Sequence, residues 1–318
     1  MVEYKIPNCK IDIKNLSTKD LITTTNNSYL LKLGFQPYYS DNVVKLYDPK
    51  YPVRIRLQFK GKLKRYKITQ PYNYTIQKNT EIQTNKFESI DEAFENKYHY
   101  TNNKQDFYKL WEVIKNYKIL GKNNKATDDF GKKIIELNKK EYKDKNYDSL
   151  IINNKIKMSN CQEKIYNQTI INDIKLIKNL NKGGNLVIKL YTLFTSYVNE
   201  LIVLLSQMFK ESYIYIPYTV ETYRNEKYLV CLDYKPNDNI LKFIDSIKNN
   251  YISLNINLSD EYINFIKNLN LTELNNQTVA INKMEEYIKN NNYFGVDYIE
   301  YYKDAIKKSS EWIKKFVN

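Results

Sequence analysis

The sequence predicts an α/β protein: a sheet flanked by helices, with a helical extension at the C-terminal end. Two observations carry this. Between Tyr147 and Leu232 the order is strand, helix, Gly-Gly turn, strand, helix, strand, and such βα alternation builds an α/β sheet. After Asp233 the apolar spacing is helical throughout. We divide the chain into a mixed N-terminal region (1–105), an α/β core (106–235) and the helical extension (236–318).

In chain order, Lys5–Lys14 reads as a short strand, Leu16–Leu21 as a helical turn and Tyr29–Phe35 as an apolar segment ended by Gly34. Tyr51–Phe59 alternates Val53, Ile55, Leu57 and Phe59 with polar residues, the period of a half-buried strand. Lys60-Gly61-Lys62 turns it into a return strand at Leu63–Ile68. The hairpin carries Arg54, Arg56, Lys60, Lys62, Lys64, Arg65 and Lys67. That set suits an RNA phosphate-contacting face, and it equally suits a solvated edge guarded by charge.

Residues 70–106 are a polar connection, with a helix at Ile90–Asn96. Phe107–Tyr117 places apolar residues at 107, 110, 111, 114 and 117, a helix with Trp111 in the core. Ile119–Gly121 reads as a short strand, and the helix at Asp128–Leu137 is capped by Asp128. The apolar run Leu150–Ile152 follows a charged stretch and reads as a buried parallel strand. Ile165–Leu180 is an amphipathic helix. A Gly-Gly turn leads into an apolar strand, Asn185–Leu190, then an aromatic-rich helix at about Phe194–Phe209 and a strand at Tyr213–Pro217. The strand Glu226–Leu232 follows after so short a connection that it pairs antiparallel. Helices are expected at Ile240–Lys248, Glu261–Leu269, Ala280–Asn290 and Tyr298–Phe316.

Composition limits the chemistry. Of 318 residues one is histidine, His99, which leaves no basis for a histidine zinc site or a histidine-based triad. Cys9, Cys161 and Cys231 stand at no metal-binding or disulfide spacing, as in a reducing compartment. No metal site is expected. No apolar run is long enough to cross a membrane, and the first residues lack the hydrophobic core of a signal peptide. The net charge of +14 fits a polyanion-binding surface. The abundance of Lys, Asn, Ile and Tyr, all with A/T-rich codons, accounts for the same excess without one.

Lys189 near the end of one strand and Glu226 at the start of another can meet at one edge of the sheet. An ammonium beside a hydroxyl lowers its pKa, and a carboxylate orients the ammonium. An ordinary ion pair at a sheet edge uses the same residues.

Residues 183–209 (GGNLVIKLYTLFTSYVNELIVLLSQMF) and 225–231 (NEKYLVC) resemble the C-terminal half of FtsJ-like ribose 2′-O-methyltransferases, over roughly residues 145–235. The resemblance implies a Rossmann-like methyltransferase sheet and a Lys-Asp-Lys-Glu tetrad. The second lysine falls on Lys189 and the glutamate on Glu226. The aspartate falls on Asn154, with Asn153 the neighbouring alternative, and the first lysine on Lys32. The family holds S-adenosylmethionine on a glycine-rich turn, where glycine permits close backbone approach. Here Gly34, Gly61, Gly121 and Gly131 stand alone, and Tyr223-Arg224-Asn225 replaces the family's serine-arginine element.

Ile188-Lys189-Leu190 with Thr192-Leu193-Phe194 also resembles the poxvirus-type mRNA-capping-enzyme small subunit, with Phe107–Tyr117 and Asp260–Leu269 in similar order. That resemblance implies a non-catalytic regulatory subunit of a large DNA virus, acting in the host cytoplasm or virion. It would bind no cofactor, form a heterodimer with the large capping subunit and stimulate guanine-N7 methylation of the cap. The alternatives are an active S-adenosylmethionine-dependent cap or RNA ribose 2′-O-methyltransferase, with Lys189 activating the ribose hydroxyl, and a basic RNA-binding scaffold protein.

Overall fold

Six strands form one open sheet. In chain order they are β1 (Val2–Lys5), β2 (Asn124–Ala126), β3 (Ser149–Ile152), β4 (Asn185–Leu190), β5 (Phe209–Ile216) and β6 (Lys227–Tyr234). They were traced in a computed structural model that describes residues 2–20, 36–40, 43–47, 89–100, 105–140, 148–153, 170–190, 193, 196–220, 226–247, 252–290 and 296–318. The spatial order is β1-β5-β6-β4-β3-β2. β2, β3 and β4 run parallel, with Ile151 beside Val187 and Ile152 beside Ile188. β6 pairs antiparallel with β4, setting Lys189 beside Tyr228, and β5 and β1 complete an antiparallel half.

The helices are α1 (89–98), α2 (Gln105–Asn116), α3 (Asp129–Leu137), α4 (Ser196–Ser206), α5 (Asp238–Ser246), α6 (Asp260–Asn290) and α7 (Val296–Phe316). Side chains alternate along each strand, so every central strand feeds two cores. Leu186, Ile188 and Leu190 of β4 point to one face, where α4, α5 and the first turns of α6 cover them with Ile202, Ile240, Tyr262 and Ile266. Val187 points to the other face, into a core that holds Ile151, Tyr228, Phe94, Trp111, Trp312 and Phe316. The segments assigned to N-terminal region, core and extension thus share these two cores.

Several elements follow the sequence reading, and several depart from it. Trp111 is fully buried in the core, and Asp128 caps α3. β3 is buried at all four positions, as a parallel strand should be. The strand expected at Ile119–Gly121 lies instead at β2; Ile119 and Leu120 are buried in the connection before it. β5 starts at Phe209, four residues before the expected strand, because it keeps pairing with β6 as far as Tyr234. The described part of Ile165–Leu180 is a single α-turn over 170–174 running into a 3-10 helix at Lys175–Asn179. Of Lys5–Lys14, only Lys5 lies in a strand, with a 3-10 turn at Ile13–Asn15. In place of a helical turn after Leu16, Lys19–Asp20 pair with Ile252–Ser253. The helices expected at 261–269 and 280–290 are one continuous α6, since no Gly or Pro interrupts the chain between them. A hairpin is found at Gln36–Ser40 and Val43–Tyr47. The basic hairpin expected over 51–68, and Tyr29–Phe35, lie outside the described residues. Among the described residues no helix is long and apolar enough to cross a membrane.

Candidate functional site

Four charged side chains converge at the carboxyl end of β4. Lys189 points to the α2 side of the sheet, two residues beyond Val187, and Glu226 precedes β6. α2 lies across this face and contributes Lys109 and Asp106. The Lys109 Nζ is 2.6 Å from Glu226 Oε2 and 3.3 Å from Asp106 Oδ1. The Lys189 Nζ is 3.5 Å from the same Glu226 oxygen and 3.4 Å from the same Asp106 oxygen. Each lysine therefore sits between the same two carboxylates.

The cluster is nearly dry. Side-chain exposure is 0% for Lys109, 1% for Lys189, 11% for Glu226 and 23% for Asp106. A charge so placed is tolerated only when paired, and the two ammonium and two carboxylate groups balance. Burial alone would raise the Glu226 pKa. Lys189 and then Lys109 outweigh it and hold the carboxyl below its ordinary value. Asp106 is the member that meets solvent.

α2 explains why the sequence hid half of this cluster. Every residue from Phe107 to Val113 is buried, because the sheet covers one side of the helix while Phe94 of α1 and Trp312 of α7 cover the other. Asp106, Lys109 and Glu112 recur every three residues and share the sheet-facing stripe. Glu112 is the third buried charge on that stripe. Its carboxylate accepts hydrogen bonds from Tyr215 Oη at 2.8 Å, Trp312 Nε1 at 2.8 Å, the Tyr218 backbone N–H at 2.9 Å and Thr219 Oγ1 at 3.2 Å. It ties α7 and the end of β5 to the helix that carries Lys109.

The turn between β2 and α3 is where the predicted fold would hold the S-adenosylmethionine carboxylate. Asp128 fills it. One Asp128 oxygen accepts from the Gly131 N–H at 2.9 Å and caps the helix; the other accepts from Asn153 Nδ2 at 2.6 Å. The helix N-terminus thus has an internal anion, and a second carboxylate there would meet like charge. Gly131 allows close packing of helix on strand: a Cβ at this position would lie 2.6 Å from the Ala126 Cβ. That approach brings α3 against the protein's own β2. Open α/β sheets also bind nucleotides where strand order reverses. Among the described residues the parallel strands step in one direction from β2 through β3 to β4, with no reversal. With Asp128 in place, this helix N-terminus does not fit the cofactor's carboxylate.

Lys189 and Glu226 meet, as the sequence predicts. Lys32 lies outside the described residues, and Lys109 is the lysine that joins Lys189. Asn154 is also outside them; Asn153, its neighbour, is fully buried, bonded to Asp128 and 3.4 Å from the Tyr228 hydroxyl that donates to it. No acidic residue stands there. Asp106 was not foreseen, although charges at 106, 109 and 112 inside an otherwise apolar helical stretch were a readable signal. Arg54, Arg56, Lys60, Lys62, Lys64, Arg65 and Lys67 lie outside the described residues. Cys9 and Cys231 are buried free thiols, and burial pushes Cys231 up to about 12. Among the described residues no group of three or more His, Cys, Asp or Glu could hold a metal ion.

With this geometry the chain can be set beside known proteins. No family model matches it. It is 30% identical over 90 residues to the cap-specific mRNA (nucleoside-2′-O-)-methyltransferase 2 of Drosophila melanogaster, covering 28% of this chain and 13% of that one. It is 33% identical over 95 residues to the cap-specific mRNA (nucleoside-2′-O-)-methyltransferase 1 of Dictyostelium discoideum, covering 28% and 12%. Over part of its length the chain is methyltransferase-like. The six-stranded open sheet flanked by helices is compatible with the Rossmann-like methyltransferase fold. A longer match, 26% identical over 231 residues, links it to an uncharacterized protein of Acanthamoeba polyphaga mimivirus, covering 67% of this chain and 64% of the viral one. The chain thus spans under two thirds of the viral relative and about an eighth of each methyltransferase.

Proposed function

We propose that the chain is a methyltransferase-like protein of mRNA cap formation that does not itself bind S-adenosylmethionine. It binds the large subunit of a viral capping enzyme as a heterodimer and stimulates its guanine-N7 methyltransferase, in the host cytoplasm or virion of a large DNA virus. The observation that carries this reading is Asp128. It supplies the anion at the one helix N-terminus where the cofactor's carboxylate would sit, and it ties down Asn153 in place of an acidic strand end. The similarity to cap methyltransferases, the viral relative and the resemblance of residues 188–194 to capping small subunits support the setting. Stimulation requires the chain to bind the active conformation of its partner more tightly than the inactive one. Calorimetric titration with S-adenosylmethionine is expected to give no heat of binding, while addition of the chain raises cap guanine-N7 methylation by the large subunit. Micromolar binding of the cofactor by the chain alone overturns this reading.

One observation favours a second reading, an active cap or RNA ribose 2′-O-methyltransferase. Lys109, Asp106, Lys189 and Glu226 restore a two-lysine, two-carboxylate set at the right edge of the sheet. In that reading Lys189 lowers the pKa of the ribose hydroxyl, while Asp106 and Glu226 orient both lysines. Methyl transfer to capped RNA by wild type and Lys189→Ala separates the two. Equal background signals reject the second reading; activity lost on substitution rejects the first.

A further inference from the structure

α7 carries a buried apolar stripe and, among the described residues, a second row whose apolar members are mostly exposed. Ser309, Trp312 and Phe316 are buried and anchor the C-terminal half of the helix, with Trp312 donating to Glu112 and Phe316 accepting from Trp111 Nε1 at 2.9 Å. The second stripe is Val296, Ile299, Lys303, Ile306, Ser310 and Ile313. Its spacing of three, four, three, four, three is that of a coiled-coil seam. At 3.6 residues per turn it lies roughly 110° around the helix from the buried stripe. Val296 is 71% exposed, Ile299 44% and Ile306 41%, whereas Ile313 is partly covered by the core. Single exposed apolar residues need no explanation, but a row at heptad spacing does.

The charges beside the row indicate what covers it. Glu300, Lys307 and Lys314 follow the seam on one flank and are all exposed. Let a second α7 lie antiparallel about a two-fold axis between Lys303 and Ile306. Val296 then meets the other copy's Ile313, Ile299 meets its Ser310, and Lys303 packs its stem on its Ile306. On the flank, Glu300 faces the other copy's Lys307, and Lys307 faces its Glu300. The seam is self-complementary and the two-fold closes it. A parallel pair would instead stack Lys303 on Lys303 and put the two charged flanks on opposite sides of the seam, so that Glu300 and Lys307 form no ion pair across it. The N-terminal half of one helix also reaches the anchored half of the other, where Ile313 is already held in place.

We propose that α7 pairs antiparallel with α7 of a second copy, through the Val296–Ile313 seam. This does not depend on the functional reading above. The test is sedimentation equilibrium of the full chain over a wide concentration range. Wild type is expected to dimerise. Ile299→Glu with Ile306→Glu abolishes association, with unchanged far-UV circular dichroism because both side chains are exposed. Glu300→Lys or Lys307→Glu alone weakens association about tenfold, since each dimer loses two ion pairs and gains two like-charge contacts. The two changes together restore it. A monomeric wild type overturns the proposal, as does failure of the double exchange to restore what each single change removes. A monomer whose α7 variants instead lose a different protein partner also overturns it, by assigning the seam to that partner.

Discussion

Lys109→Met tests the buried cluster most directly. Methionine keeps most of the lysine stem, so packing inside α2 changes little. What is lost is an ammonium with no solvent exposure, 2.6 Å from Glu226 and 3.3 Å from Asp106. Glu226 then keeps Lys189, at 3.5 Å, as its remaining cationic partner in the cluster. Breaking a buried ion pair by removing one partner costs about 3–5 kcal/mol. Asp106 can rehydrate through its exposed side, so the lower end, about 3 kcal/mol, is expected. Urea unfolding followed by the fluorescence of Trp111 and Trp312 measures it. Adding Glu226→Gln removes the carboxylate that Lys109 pairs with, so the double variant should cost less than the sum of the single ones by about 1–3 kcal/mol. The pH dependence has a definite sign. Lys189 and Lys109 hold the Glu226 pKa below its ordinary value, against burial. The stabilisation is therefore complete above the ordinary glutamate range and is lost as pH falls through the lowered folded value. The gap between wild type and Lys109→Met should accordingly narrow in acid. A loss under about 0.5 kcal/mol at neutral pH, typical of surface changes, would refute the account of a dry, coupled cluster.

Other substitutions probe the supporting structure. Gly131→Ala places a Cβ 2.6 Å from the Ala126 Cβ, so a loss of about 1–3 kcal/mol is expected in thermal or urea unfolding. Asn153→Asp exchanges a 2.6 Å hydrogen bond for two facing carboxylates; it should cost about 2 kcal/mol or more at neutral pH and recover as acid protonates one of them. Glu112→Gln replaces one of two acceptor oxygens by an amide donor amid the donors of Trp312, Tyr215 and Tyr218, and should cost about 1.5–3 kcal/mol with a shift in Trp312 emission.

The legibility of this fold varied with the kind of force that makes each element. β3, β4 and β6 were readable because strands buried on both faces need apolar runs, and those runs are short and bounded by turn residues. β2 was not readable. Asn124-Lys125-Ala126 has no strand propensity and is a strand because β3 offers it an edge to pair with. The apolar pair Ile119-Leu120 looked more strand-like, but its burial comes from the neighbouring α2 connection. α6 read as two helices because its middle is rich in Asn and Thr. The helix continues there because nothing in the sequence breaks the hydrogen-bond ladder.

By itself the sequence determined the βα alternation, the antiparallel return of β6, the helical character of the chain after Asp233, and the meeting of Lys189 with Glu226. These are local or follow from strand register, so spacing along the chain suffices. Tertiary structure alone decided the other half of the cluster. Lys109 and Asp106 lie more than seventy residues before Lys189, on a helix whose apolar pattern concealed which of its charges would be buried. Only the docking of α2 across the sheet removes water from Lys109 and most of it from Asp106, and only then does pairing with Lys189 and Glu226 become obligatory. The same holds for Asp128. Its capping role is local, but its grip on Asn153 exists because β2 and β3 lie side by side, and that contact is what fills the turn.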